Sequence, residues 1–305
     1  MYLSLTLSHY HLVILTPLST LDAYPRALLT AGALGAACAT LSVIVVLRRW
    51  AFIGEGISHA GFGGIGTGWL LSLAFPAFAS AGAVYIVAIF FCLAVALAIG
   101  YFTRQRAAAE PFGSDSVIGI FLVASLAWGL LALAIYNRHQ NAANAQSWEN
   151  YLFGSIESVS AELMLAGIAL SAAVLFAVTA LFKEILFYAF DPLMARVSGV
   201  RIGWIHYFLM ILLALVIVIG MRIVGNFLIP ALLVLPGATA LLLSRRLRTV
   251  MSISVGVGLI GSVGGLIVNH QLWPYLPSGP AIVLTLFIQF ILAYAWSKRP
   301  RRTPV

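Results

Sequence analysis

The sequence predicts an all-α membrane protein, a polytopic bundle of about nine transmembrane helices. Of its 305 residues, 62% are hydrophobic and only 9% are charged, whereas a soluble domain carries about 25% charged residues. The apolar residues form runs of about 20, the length that a helix needs to cross a hydrocarbon core. Short Lys and Arg clusters separate these runs, so the net charge of +8 fits a membrane protein with basic cytosolic loops and not a nucleic-acid binder.

The predicted crossings follow one another with short connections. Residues 1–26 form an extracytoplasmic segment, of which 1–20 fit an interfacial helix better than a span. The crossings are then expected at about 27–47, 52–74, 81–102, 115–136, 161–182, 204–221, 227–243, 251–269 and 281–296. The membrane domain therefore occupies 27–296 and includes one longer cytosolic loop, 183–203, and a basic cytosolic tail follows at 297–305.

The basic residues predict the orientation. With the amino terminus outside, nine crossings place all but three of the 17 Lys and Arg residues in the cytosol. Only Arg26, Arg138 and Arg222 remain outside. This asymmetry is the one expected from the positive-inside rule.

The second predicted crossing carries two ionisable residues, Glu55 and His59, four positions apart. On a helix this spacing places both side chains on one face, and ionisable residues within a membrane usually have a function. A carboxylate with a neutral imidazole is a partial ligand set for zinc or manganese. If Arg49 marks the cytosolic edge, His59 lies about 15 Å deep, near the bilayer midplane. The alternative is a hydrogen bond that only serves helix packing.

The sequence offers no enzyme active site. It contains neither the G-x-x-x-x-G-K-[ST] loop that binds ATP nor the H-E-x-x-H and G-x-S-x-G patterns of hydrolases. We therefore expect a transport protein without a permanently bound cofactor, whose energy comes from elsewhere.

The longest cytosolic loop predicts a short helix. Asp191 is a good N-cap, Pro192 suits the first helical position and Gly199 suits the end of a helix. Leu193, Met194 and Val197 would share an apolar face. This helix is either an ordinary connection or a surface that docks a cytosolic partner.

Glycines are frequent in the second and eighth predicted crossings. Small residues allow helix backbones to approach closely. These glycines therefore either pack the bundle tightly or line a smooth translocation path.

Four ordered motifs together resemble the ABC-3 family of permeases from zinc, manganese and iron ABC transporters. They are G-E-G-I-S-H-A at 54–60, N-Y-L-F-G at 150–154, F-D-P at 190–192 with Ala195 and Gly199, and the stretch 224–240, which contains Pro230 and Pro236. The family usually has aspartate at the position of Glu55, and Leu-Pro at the position of Phe62-Gly63. Glutamate keeps the carboxylate and extends it by one methylene.

The resemblance implies an ABC type II-like importer permease that carries a divalent metal across the bacterial plasma membrane. Its implied partners are a second permease protomer, cytosolic ABC ATPase subunits, an extracytoplasmic metal-binding protein and the lipid bilayer. Glu55 and His59 would line the metal path, and Pro230 and Pro236 would be helix kinks along it. The implied ATPase-coupling residues are Asp191, Pro192, Leu193, Met194, Ala195, Val197 and Gly199. A secondary carrier or channel driven by an ion gradient through Glu55 is the alternative function.

Overall fold

The computed structural model describes residues 22–78, 80–105, 114–140, 156, 159–190, 192–272 and 277–298. Within these ranges all regular structure is helical, as predicted. The helices are α1 (Ala23–Leu47), α2 (Ala51–Ala74), α3 (Ala81–Gln105), α4 (Ser114–Arg138), α5 (Ala161–Ala180), α6 (Phe182–Phe190), α7 (Pro192–Val197), α8 (Ile202–Val224), α9 (Leu228–Leu243), α10 (Leu247–Leu272) and α11 (Ser278–Ser297), with one 3₁₀ turn at Pro76–Phe78. The predicted interfacial helix at 1–20 and the 150–154 motif lie outside the described residues.

Seven of the described helices are long and apolar enough to cross a membrane, so the predicted count of about nine is not confirmed. The seven are α1, α3, α4, α5, α8, α10 and α11. The helix α9 has only 16 residues. The helix α2 has 24 residues, but Glu55, His59 and seven glycines lower its hydropathy. Both helices are nevertheless largely buried in the bundle.

The helices α1 and α8 form the centre of the bundle, and most of their residues are buried. The helix α1 packs against α5, α9 and α10, whereas α2 packs against α3 and α4 and also contacts α8 and α9. The outer helices expose large apolar side chains such as Phe90, Ile120, Phe287 and Leu292. These side chains form the surface that a lipid bilayer would cover.

Glycines bring the neighbours of α2 very close. A Cβ atom at Gly64 would lie 2.5 Å from Ala88 Cα on α3, and one at Gly66 would lie 2.7 Å from the Gly129 carbonyl oxygen on α4. Larger residues at these positions would force the helices apart. These glycines therefore serve close helix packing, one of the two roles predicted for them.

The helix α9 contains Pro236 and contacts α1 at its next residue. The Gly237 N–H donates a 2.8 Å hydrogen bond to Ser42 Oγ on α1. A proline inside a helix disturbs the local backbone hydrogen bonds, and in a membrane a neighbouring side chain has to satisfy the groups that it frees. Ser42 on α1 fills this role, and its hydrogen bond holds α1 against α9 at the position of the proline.

The predicted cytosolic loop folds into α6 and α7. The helix α7 ends where Gly199 takes a φ of +80°, and the Val200 N–H bonds to the Ala195 carbonyl at 3.0 Å. This pattern is a Schellman motif, which ends many helices and favours glycine at the left-handed position. The fifth crossing was predicted to end at 182, but α5 ends at Ala180, and Leu181 separates it from α6.

Candidate metal-binding site

Glu55 and His59 meet on the second and third turns of α2. The Glu55 Oε1 and His59 Nε2 atoms are 3.0 Å apart, and the two side chains are 42% and 18% exposed, respectively. Phe52, one turn earlier on the same stripe, is also exposed. The predicted pair therefore forms, and it lies on the side of α2 that the described residues leave partly open.

The contact has a consequence for the second ring nitrogen of His59. If Nε2 carries the proton, it donates to the Glu55 carboxylate, and Nδ1 is left with a free lone pair. That Nδ1 atom is buried and has no hydrogen-bond partner among the described residues. A buried unsatisfied acceptor costs about 1–3 kcal/mol, whereas a metal ion can use the same lone pair as a ligand.

The α8–α9 turn contacts α2 at Ser58, the residue before His59. The Ser58 hydroxyl donates to Oδ1 of Asn226, and both residues are buried. Gly225 allows the turn with a φ of +84°. The sequence analysis did not identify Ser58 and Asn226. The signal available in the sequence was Asn226 itself, a single amide side chain between two apolar runs.

Among the described residues, Glu55 and His59 are the two candidate ligands at this site. No group of three or more His, Cys, Asp or Glu side chains suitable for a metal occurs among the described residues. The Phe62 ring packs beside His59, with ring centroids 5.8 Å apart, and supplies no metal ligand. A tighter site would need ligands from outside the described part of the chain.

The predicted coupling residues divide between exposed, buried and undescribed positions. On α7, Met194 and Val197 are 57% and 84% exposed, whereas Ala195 is completely buried. Ala195 therefore packs the helix against the rest of the protein and does not face a partner. The backbones of Pro192 and Leu193 belong to α7, but their side chains, like the whole of Asp191, lie outside the described residues.

The two predicted kink prolines have different neighbours. Pro230 lies in the first turn of α9, where a missing N–H costs little, and its Cα is 3.9 Å from the Cβ position of Gly54 on α2. Pro236 is inside α9 and lies next to the contact between Gly237 and Ser42 on α1. Of the two, Pro230 is thus the closer to the Glu55–His59 helix.

Comparison with known proteins identifies the family. The chain is 32% identical over 277 residues to the manganese import system permease protein ScaB of Streptococcus parasanguinis, covering 91% of each chain. It is 30% identical to the chelated iron transport system membrane protein YfeD of Yersinia pestis, covering 90% of this chain and 86% of that protein. Among solved structures it resembles PsaBC from Streptococcus pneumoniae in complex with Fab, with a TM-score of 0.73, 30% identity and coverage of 91% of this chain and 92% of that one. The model of the ABC 3 transport family matches residues 21–297, and this chain therefore belongs to that family.

Proposed function

We propose that this protein is the plasma-membrane permease subunit of a bacterial ABC transporter that imports a divalent transition metal, with manganese and iron as the leading candidates. The observation that carries this proposal is the Glu55–His59 pair with its unpaired Nδ1, on a helix of a chain that matches the ABC 3 family over 21–297. The relatives named for manganese import and chelated iron transport support the choice of cargo.

In this proposal Glu55 and His59 bind the metal transiently during passage. The entering cation takes the place of the proton shared by Glu55 Oε1 and His59 Nε2, or binds the free Nδ1 lone pair. In the first case the Nε2 proton leaves to water, and the metal would have the Glu55 carboxylate and the His59 imidazole as ligands; in the second case this pair would supply the imidazole alone. A conducting site has to release its ion, and a two-ligand site from one chain suits that requirement.

The exposure of Glu55 supports a dimer. A charged carboxylate that is 42% exposed on a membrane helix would be costly against lipid. We infer that this side of α2 faces a second permease protomer or a water-filled path. A second copy would bring another carboxylate–imidazole pair and complete the coordination of the metal.

Energy is proposed to come from cytosolic ABC ATPase subunits, and the metal from an extracytoplasmic binding protein. The exposed residues Met194 and Val197 on α7 form the proposed docking surface for the ATPase. The absence of an ATP-binding loop in the chain requires such a partner if transport uses ATP.

The test is transport by the permease reconstituted with its ATPase in vesicles. The proposal expects uptake of Mn²⁺ or Fe²⁺ that requires ATP hydrolysis. It also expects Glu55→Asp to keep transport, with its metal preference measured across a metal panel. Uptake that needs no ATPase subunit and follows an imposed proton or sodium gradient would instead establish the secondary-carrier alternative.

A further inference from the structure

A buried polar cluster lies at the cytosolic end of the bundle, away from the Glu55–His59 pair. It consists of Arg48, Trp50, Tyr188 and His206, which we call the Tyr188 cluster. The Tyr188 hydroxyl is 2.7 Å from His206 Nδ1, and His206 Nε2 is 2.9 Å from the Gly100 carbonyl oxygen on α3. Because a carbonyl only accepts, Nε2 carries a proton, and in the neutral imidazole Nδ1 then accepts from the Tyr188 hydroxyl.

Arg48 and Trp50 connect this hydrogen-bond chain to the turn between α1 and α2. The Arg48 guanidinium lies 4.3 Å from the centroid of the Tyr188 ring, and its Nη1 donates to the Tyr188 carbonyl at 3.4 Å. The Trp50 ring meets the His206 ring edge-on, with centroids 5.4 Å apart. Tyr188, Trp50 and His206 are all nearly fully buried.

The cluster lies between the proposed docking helix and the proposed metal site. Tyr188 belongs to α6, which packs against α7. On the other side, α2 begins directly after Trp50 and carries Glu55 and His59 about 8 and 14 Å further along its axis. One set of contacts therefore joins α6, the start of α2, α3 and α8.

We propose that Tyr188 and His206 are positioning residues that link movement of the α6–α7 segment to α2, and thereby couple the ATPase to the metal site. This inference rests on the proposed function. Neither residue touches the metal in this scheme. Their hydrogen bond fixes the position of α6 relative to α8 and α3. The ring of Tyr188 contacts Arg48, which lies in the turn that leads into α2.

The test uses Tyr188→Phe, which removes the hydroxyl and keeps the ring under Arg48. The complex of permease and ATPase is reconstituted in vesicles, and Mn²⁺ uptake and ATP hydrolysis are measured together. We expect Mn²⁺ transported per ATP hydrolysed to fall roughly tenfold, while Mn²⁺ affinity without ATP is unchanged. Tyr101→Phe is the matched control, because this exposed tyrosine lies one residue beyond Gly100, and it should leave the ratio unchanged.

A second variant, His206→Leu, removes the Nδ1 acceptor of the same bond and also the donor to the Gly100 carbonyl. It should lower the ratio similarly, and the double variant should be no worse than the poorer single variant. If Tyr188→Phe does not fold, His206→Leu decides by the same ratio. An unchanged ratio, or uptake and hydrolysis that fall by one common factor, would overturn the inference. Failure of the wild-type complex to couple Mn²⁺ uptake to ATP would instead refute the proposed function, and this inference with it.

Discussion

Glu55 and His59 share a 3.0 Å contact between Oε1 and Nε2 that leaves Nδ1 of the imidazole buried without a partner among the described residues. A pair that served packing alone would be expected to satisfy both ring nitrogens, since buried polar groups are nearly always hydrogen-bonded. The unsatisfied nitrogen and the partly exposed carboxylate both favour a site that binds a passing cation.

The orientation of the chain can be tested by cysteine labelling. Arg246 and Arg138 are exposed at opposite predicted sides of the membrane, and the native Cys38 and Cys92 are free and fully buried, so they give little background. A cysteine next to Arg246 should react only with reagents that reach the cytosol, and one next to Arg138 should react from outside. The reverse labelling pattern would refute the topology.

The docking role of α7 predicts the effect of a charge at Met194. Met194→Asp should place a carboxylate in the proposed apolar contact and weaken ATPase association by about 2–5 kcal/mol. Co-purification of the ATPase with the permease measures this loss, and Met194→Leu is the control that keeps the position apolar. Normal yields of the Met194→Asp permease together with undiminished ATPase binding would rule out α7 as the docking element.

The turn between α1 and α2 carries local strain that can be relieved. Arg49 has a φ of +57° in a Schellman motif, in which the Trp50 N–H bonds to the Val45 carbonyl at 2.8 Å. A left-handed conformation costs a residue other than glycine roughly 1–2 kcal/mol. Arg49→Gly should therefore raise the thermal unfolding midpoint of the purified permease.

Gly199 occupies the same left-handed position after α7 that Arg49 occupies after α1, so replacing this glycine should have the opposite effect on stability. A Cβ atom there would meet nothing within 4 Å, so Gly199→Ala introduces backbone strain without a steric clash. It should destabilise α7 by about 1 kcal/mol. A lower unfolding midpoint for Arg49→Gly, or no effect of Gly199→Ala on ATPase binding or stability, would contradict this account of the two turns.

The sequence predicted the features that depend on local pattern. Helical spacing alone placed Glu55 beside His59, and Asp191, Pro192 and Gly199 indicated the short helix that the structure has as α7. The four ordered motifs were sufficient to identify the family, which the match over 21–297 confirmed.

Features that depend on distant contacts were not predictable in this way. The pairing of Ser58 with Asn226 joins residues 168 positions apart, and that of Tyr188 with His206 links two helices whose relative placement no periodicity reveals. The burial of Ala195 likewise follows from how α7 lies on the bundle. The count of nine crossings was not confirmed because α2 and α9 lie mostly within the protein, where a segment need not be long or strongly apolar.

The most direct test of the account is ATP-driven Mn²⁺ uptake by reconstituted complexes that carry Glu55→Ala or His59→Ala. Both variants should assemble with the ATPase in near-normal amounts, and each should abolish uptake, because each removes one of the two proposed ligands. If the pair serves only as a structural hydrogen bond, both variants should instead give a lower yield of folded permease. The permease that does fold should then transport Mn²⁺ at a near-normal rate. Normal Mn²⁺ uptake by both alanine variants would contradict the central claim and place the ion path elsewhere.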